Sequence, residues 1–323
     1  MLISELKKEI KKYNQKDLES IIVELYKRIP KNKKEDYNID DFIKNVDNKQ
    51  KINSKKEFNF EGLEKEIKYF LSCVDNEYYV VPNKIVSKKE RSSWRFKVKR
   101  YYKELSNIIP NSDNGAQATM LLIEIFKRLS IGSNRLLFIN WETFRALGVS
   151  QSDYYDNILK RILYNGYTKE NLQKCIDFLD IVKDPYELSY DMFYTYISNL
   201  KTIDNKEVSI QLINEKIEDL KLKLKDEKNS RIEYDLQELL NEYVECVTDI
   251  YFELEEIEKG IKFFHKNYIE RSKEIKEYVL LNKLDVADLI DAWLKEYEQN
   301  MNKINFRESL KKRYEELIMM SKK

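Results

Sequence analysis

Glycine and proline are scarce in this chain, with six and four residues among 323. A β-rich or α/β protein of this length needs more turn glycines, so the scarcity predicts long helices with short polar connections. Cys73, Cys175 and Cys246 lie far apart with no CxxC pair. That excludes a zinc-finger pattern and fits buried thiols in a reducing cytoplasm. The single histidine, His265, cannot build a histidine-based metal site or a relay between two imidazoles, and reads as a partly exposed helix residue. No GxxxxGKS/T, GxGxxG, GxSxG or HExxH occurs. The phosphate-cradle, dinucleotide, hydrolase and zincin readings therefore have no support. The apolar run around 120–123 is far short of a bilayer span, and no secretory-leader pattern opens the sequence. The expectation is a cytoplasmic protein without cofactors and without a membrane role.

Charge is abundant but balanced: 36% of residues are charged and the net is +1. Its distribution is uneven. Residues 1–110 carry 26 basic and 18 acidic side chains, residues 111–200 carry 9 and 11, and residues 201–323 carry 23 and 28. A basic first third and an acidic last third can attract one another within the chain or between copies.

The most basic stretch is 77–110, EYYVVPNKIVSKKERSSWRFKVKRYYKELSNIIP. Nine basic residues lie between Lys84 and Lys103, against one acid, Glu90. Pro82 and Pro110 bracket a predicted helix over 88–109. Ser87 is its N-cap, and Glu90 three residues on completes a capping-box pattern. Trp94, Val98, Tyr101, Leu105 and Ile108 form one apolar stripe. Phe96 falls nearly opposite that stripe, among positive charges. Two readings compete. One is a face for nucleic acid, with cations for phosphates and Phe96 or Tyr102 for base stacking. The other is a helix buried on two sides, its Lys and Arg stems covering neighbours and their heads paired with acidic helices. An acidic protein partner suits the face equally. The candidate contact residues are Lys88, Lys89, Arg91, Arg95, Phe96, Lys97, Lys99, Arg100 and Lys103.

Before this stretch, an amphipathic helix over 1–13 reads as a packed first helix, because Glu5 and Glu9 interrupt its lysines and weaken a membrane-surface reading. A second helix follows from the Asn14 cap, with Leu18, Ile21, Ile22 and Leu25 expected to face inward. A short helix over 39–46 comes next. Residues 47–57 read as a mobile linker. Residues 60–74 resume helical periodicity, and 78–81 read as a short extended run.

After the basic helix, 116–129 is strongly apolar and reads as buried. Residues 134–140 fit a strand or a buried helical turn. The stretch 140–153, with Trp141 and Arg145, reads as a helix–helix corner more readily than a ligand groove. Helices are expected over 151–163, 169–181 and 186–200, with no fixed repeat period.

The last third differs. Apolar residues from Ile210 to Leu224, and again from Ile232 to Tyr268, recur every three or four positions. This predicts a long coiled-coil-like hairpin with a second arm of roughly 55 Å. The shorter first arm leaves part of the second to the C-terminal helices or to a second copy of the chain. Further helices are expected over 272–281, 286–297 and 306–319, with Asp285/Asp288 and Asn305/Glu308 marking the last two starts. Two acidic groups, Glu253/Glu255/Glu256/Glu258 and Asp285/Asp288/Asp291, read as solvated helix surface rather than ion sites.

The sequence thus predicts an all-α fold: an irregular array of short helices, then the long hairpin, then C-terminal helices. The expected domains are 1–58 (N-terminal helices), 59–200 (helical array with the basic helix) and 201–323. The expected function is a non-enzymatic interaction or scaffold protein that binds another protein. The alternative is nucleic-acid binding through the helix over 88–109. A homo-oligomer through the hairpin is a further expectation.

Overall fold

The computed structural model describes residues 3–30, 33–34, 39–44, 59–181 and 190–321. Every regular element among these residues is helical, as the scarcity of glycine and proline requires. The expected linker at 47–57 lies outside the described residues. The chain divides into two compact units, Met1–Glu61 and Gly62–Lys323. Among the described residues, no helix is long and apolar enough to cross a membrane.

The first unit contains α1 (Ile3–Ile10), α2 (Gln15–Arg28) and α3 (Ile39–Lys44). The Asn14 side chain caps α2 by accepting from the Asp17 amide at 3.0 Å. The Tyr26 hydroxyl ties α2 to α3 by donating to Asp40 at 2.6 Å. The expected inward face of α2 is not realised. None of its residues is buried, and Ile22 and Leu25 are more than half exposed. Three-to-four periodicity marks an apolar face but does not supply a cover, and helices of 8, 14 and 6 residues offer one another little apolar surface.

The second unit takes in α4 (Phe60–Asp75) from Gly62 on, then α5 (Lys88–Ser106), α6 (Gly115–Asn134) and the short α7 (Thr143–Leu147). It continues through α8 (Gln151–Ile162), α9 (Lys169–Asp177) and α10 (Tyr190–Ser198). The starts are written in the sequence. Ser87, Ser150 and Thr168 each accept from the amide three residues on, an arrangement worth about 1 kcal/mol per helix. The 78–81 run is not extended: it forms hydrogen-bonded turns after Glu77, which has positive φ, and Asn83 holds the Tyr78 and Val81 carbonyls at 2.8 Å. Residues 135–140 leave the helix as irregular chain and insert Phe138, whose ring stacks on Trp94 at 4.1 Å. Trp94, Phe70, Tyr79, Tyr101 and Phe138 make one aromatic cluster beneath α5. Phe126, Phe144, Tyr154 and Tyr155 make a second beneath α6 and α8.

The α5–α6 corner is held by buried Arg161 of α8. Its guanidinium donates to the Thr119 hydroxyl at 2.9 Å, the Ile108 carbonyl at 2.8 Å and the Gly115 carbonyl at 3.4 Å. Only glycine fits at 115, because a Cβ there would stand 2.0 Å from the Pro110 carbonyl oxygen.

Two helices of 24 residues follow, α11 (Ile203–Asp226) and α12 (Ser230–Glu253), joined by three residues and packed on one another. Ile210, Ile213, Ile217 and Leu220 are buried on the first, and Leu240, Tyr243, Val244 and Val247 on the second. The expected continuous arm to Tyr268 is broken. Helix α12 stops at Glu253, Glu255 takes a φ of 61°, and α13 (Ile257–Asn267) packs back on α12. Gly260 permits this approach: a Cβ there would meet the Phe252 ring at 2.9 Å. Spacings of three and four belong to any amphipathic helix, so a three-residue break at 254–256 leaves the periodicity intact. Each hairpin helix is about 36 Å long, so the mismatch in arm length that pointed to a second copy is absent.

The chain ends with α14 (Lys273–Val286), α15 (Ile290–Asn300) and α16 (Glu308–Ser321). The break before α15 falls at Ala287–Leu289, where Asp288 has a φ of 56°, rather than ahead of Val286. Asp285 is not a cap; its carboxylate pairs with Arg313 at 2.6 Å.

Candidate functional site

Helix α5 has two faces of opposite character. Trp94, Val98, Tyr101 and Leu105 are buried, with Trp94 only 1% exposed, and Ile108 is half-buried beyond the helix end. The opposite stripe is Lys89, Ser92, Phe96, Lys99 and Lys103, spaced three, four, three and four residues apart. Every member of it is exposed, and Phe96 is 62% exposed. Both predicted features of the helix start are present: Ser87 accepts from the Glu90 amide at 3.2 Å, and Glu90 accepts from the Ser87 amide at 3.3 Å.

The nine candidate contact residues do not form one set. Arg91 is buried, and its guanidinium donates to the Val86 carbonyl within the same loop–helix junction. Lys97 pairs with Glu90 at 3.0 Å. Donation from Lys97 and the Ser87 amide holds the Glu90 carboxyl below its ordinary range. Arg100 pairs with Glu66 of α4, which also accepts from the Tyr101 hydroxyl at 2.9 Å. Partial burial opposes ionisation of Glu66, but the donations from Arg100 and Tyr101 prevail and its pKa is lowered. Those three cations belong to the scaffold.

Lys88, Lys89, Lys99, Lys103 and Phe96 remain exposed, and Arg95 is half-buried. None of the five cations has an acidic partner among the described residues, and Arg95 lies 4.9 Å from the Phe96 ring centroid. The Lys99 ammonium lies beside Gly148, at the C-terminal end of α7. Tyr102, the second residue considered for base stacking, is half-buried and packs on Tyr154 with centroids 4.6 Å apart. The 140–153 stretch forms a corner, with Phe144 and Leu147 buried and Arg145 paired with Glu142 at 3.1 Å.

The acidic group at 253–258 is dispersed. Glu253 pairs with Lys206, Glu256 with Lys259 and Glu258 with Lys295. The break at 254–256 turns them away from a common helical face.

A different cluster, invisible to local spacing, lies where α13, α14 and α15 meet. His265 of α13 stands between Glu277 of α14 and Glu296 of α15. Its Nε2 is 2.9 Å from Glu296 Oε1, and its Nδ1 is 3.6 Å from Glu277 Oε1. One ligand atom from each residue lies within 4.8 Å of the other two. The glutamate side chains are 8% and 9% exposed, and Glu277 Oε2 has no hydrogen-bond partner. Burial pushes the Glu277 carboxyl up to about 7, and the bond to Glu296 raises His265 against its partial burial. The three residues are 12 and 19 positions apart, which matches no helical period. A neighbouring charged group, Lys283 with Asp249 at 2.8 Å and Glu245 at 3.2 Å, joins α14 to α12.

Compared with known family models, curated proteins and solved structures, the chain matches none.

Proposed function

We propose that the protein acts by binding rather than by chemistry, and that the outward face of α5 is a contact surface for single-stranded nucleic acid. One observation carries this reading: Phe96, 62% exposed, sits on a stripe with Lys89, Lys99 and Lys103, which have no acidic partners among the described residues. An exposed aromatic costs solvation and gains nothing for the core; beside cations it is a platform for a base whose phosphates the lysines neutralise. The working compartment on this reading is the reducing cytoplasm, where the three buried free thiols persist.

The test is binding of short single-stranded DNA and RNA from low to physiological salt. The wild type is expected to bind with a steep salt dependence. Lys89→Glu with Lys103→Glu should flatten the slope of log affinity against log salt by about 0.7 for each phosphate no longer neutralised. Unchanged binding in that double variant removes this reading. An acidic protein partner is the second reading, supported by the same exposed lysines, which pair with carboxylates as readily as with phosphates. It predicts no nucleic-acid binding at any salt, and capture of an acidic protein that the same double variant abolishes.

A further inference from the structure

The His265–Glu277–Glu296 cluster is independent of α5 and unexplained by packing. Two carboxylates are more than nine-tenths buried beside one imidazole. Removing a carboxylate from water is costly unless its oxygens are satisfied. Glu296 is satisfied: its Oε1 meets His265 Nε2 at 2.9 Å and accepts from Asn300 Nδ2 at 3.0 Å. Glu277 is not, since its Oε2 is buried without a partner. Lys276, its neighbour along α14, does not supply one. Its ammonium is spent on the carbonyl oxygens of His265 and Tyr268, both at 2.8 Å. With both carboxylates ionised, even a protonated imidazole leaves one net negative charge in a poorly solvated place, which either a proton on Glu277 or a bound cation can offset.

We propose that His265, Glu277 and Glu296 bind a divalent transition cation of the zinc type. A dipositive ion cancels the two carboxylates beside a neutral imidazole, and it gives the orphaned oxygen of Glu277 a partner. The geometry is close to what the ion requires. Ligand atoms bonded at 2.0–2.2 Å around one zinc ion stand roughly 3.0–3.4 Å apart; one ligand atom from each of the three residues lies within 4.8 Å of the other two, so side-chain rotation brings them to one ion. The two carboxylates stand at opposite ring nitrogens, so one nitrogen ligates and the carboxylate at the other turns to reach the ion, while Asn300 donates to Glu296 as outer partners do in metal sites. A mixed imidazole–carboxylate set selects zinc-like ions over magnesium or calcium, which favour oxygen alone. His265 is partly exposed, so solvent reaches the site and leaves room for a water as fourth ligand. The three ligands come from three successive helices, so the ion ties α13, α14 and α15 together.

The experiment uses the full chain, stripped with a chelator and titrated with zinc chloride by calorimetry, alongside thermal unfolding with and without zinc. The expected result is one zinc ion per chain at this site and a raised Tm. Magnesium should produce neither effect. Glu277→Gln keeps the shape of the side chain, so the fold should persist without zinc, and its melting curve verifies that. The variant should weaken zinc binding by about tenfold or more and lose the Tm response. Glu296→Gln should behave alike, which protects the test against misfolding of either variant. A wild type that takes up no zinc overturns the proposal and leaves the group as a shared-proton ion cluster. Zinc uptake with unchanged affinity in both variants also overturns it, since the ion then binds elsewhere.

Discussion

The face of α5 and the cluster between α13 and α15 are both collections of charge, built on opposite terms. On the outer face of α5, Lys88, Lys89, Lys99 and Lys103 stand in water, where each costs little and attracts weakly. At the cluster the carboxylates are buried, where an unmatched charge is expensive. The first can therefore be read as a surface open to partners, and the second as a site that demands compensation. The physical quantity that separates them is solvation, since the same residue types occur in both.

The comparison breaks most sharply inside α5 itself. Trp94→Ala removes the ring that stacks on Phe138 and should cost about 3–5 kcal/mol of stability by chemical denaturation. Binding by the outer face should fall with it, because the helix loses its seat. Next in size is Lys283→Met, which leaves Asp249 and Glu245 without the ammonium they share. We expect a loss of about 3 kcal/mol, far more than for any single exposed lysine of α5. A Lys283→Met variant no less stable than Lys103→Met would erase the distinction between the two regions.

Two residues from Trp94, Phe96→Ala should behave in the opposite way. Stability should change by less than about 0.5 kcal/mol, while affinity for single-stranded DNA falls by about 1–3 kcal/mol in a fluorescence titration. Equal losses in both measurements would mean that Phe96 packs rather than binds.

The smallest effect concerns Glu66, whose carboxyl is held low by Arg100 and Tyr101 despite partial burial. A lowered carboxylate contributes stability above its unfolded value of 4.5, and that contribution is lost as pH falls through the folded value. The Tm difference between wild type and Glu66→Gln should therefore be present at pH 6 and vanish towards pH 3. Both side chains are partly exposed, so it should amount to less than about 1 kcal/mol.

Much of α5 is legible from the order of its residues. The Ser87–Glu90 capping box, the start at Lys88 and the buried Trp94–Val98–Tyr101–Leu105 stripe all follow from local rules, because caps and amphipathic faces are settled by residues three or four apart. The division of its cations is not legible there. Glu66 claims Arg100 across 34 positions, and Val86 claims Arg91 because of how the loop enters the helix. The broken arm escapes the sequence for a related reason. A reversal at 254–256 preserves the apolar spacing, and position 255 holds a glutamate where a glycine would have announced the positive φ.

The all-α class, the caps and the apolar faces follow from residue order alone, since they depend on few turns, few breakers and short-range periodicity. Which faces are covered and which charges meet emerges from the folding of the whole chain. It left α2 without a buried residue, turned α13 back on α12, and brought His265, Glu277 and Glu296 from three helices to one place. The reason is that burial and charge compensation depend on distances through space, and nothing along the chain records those.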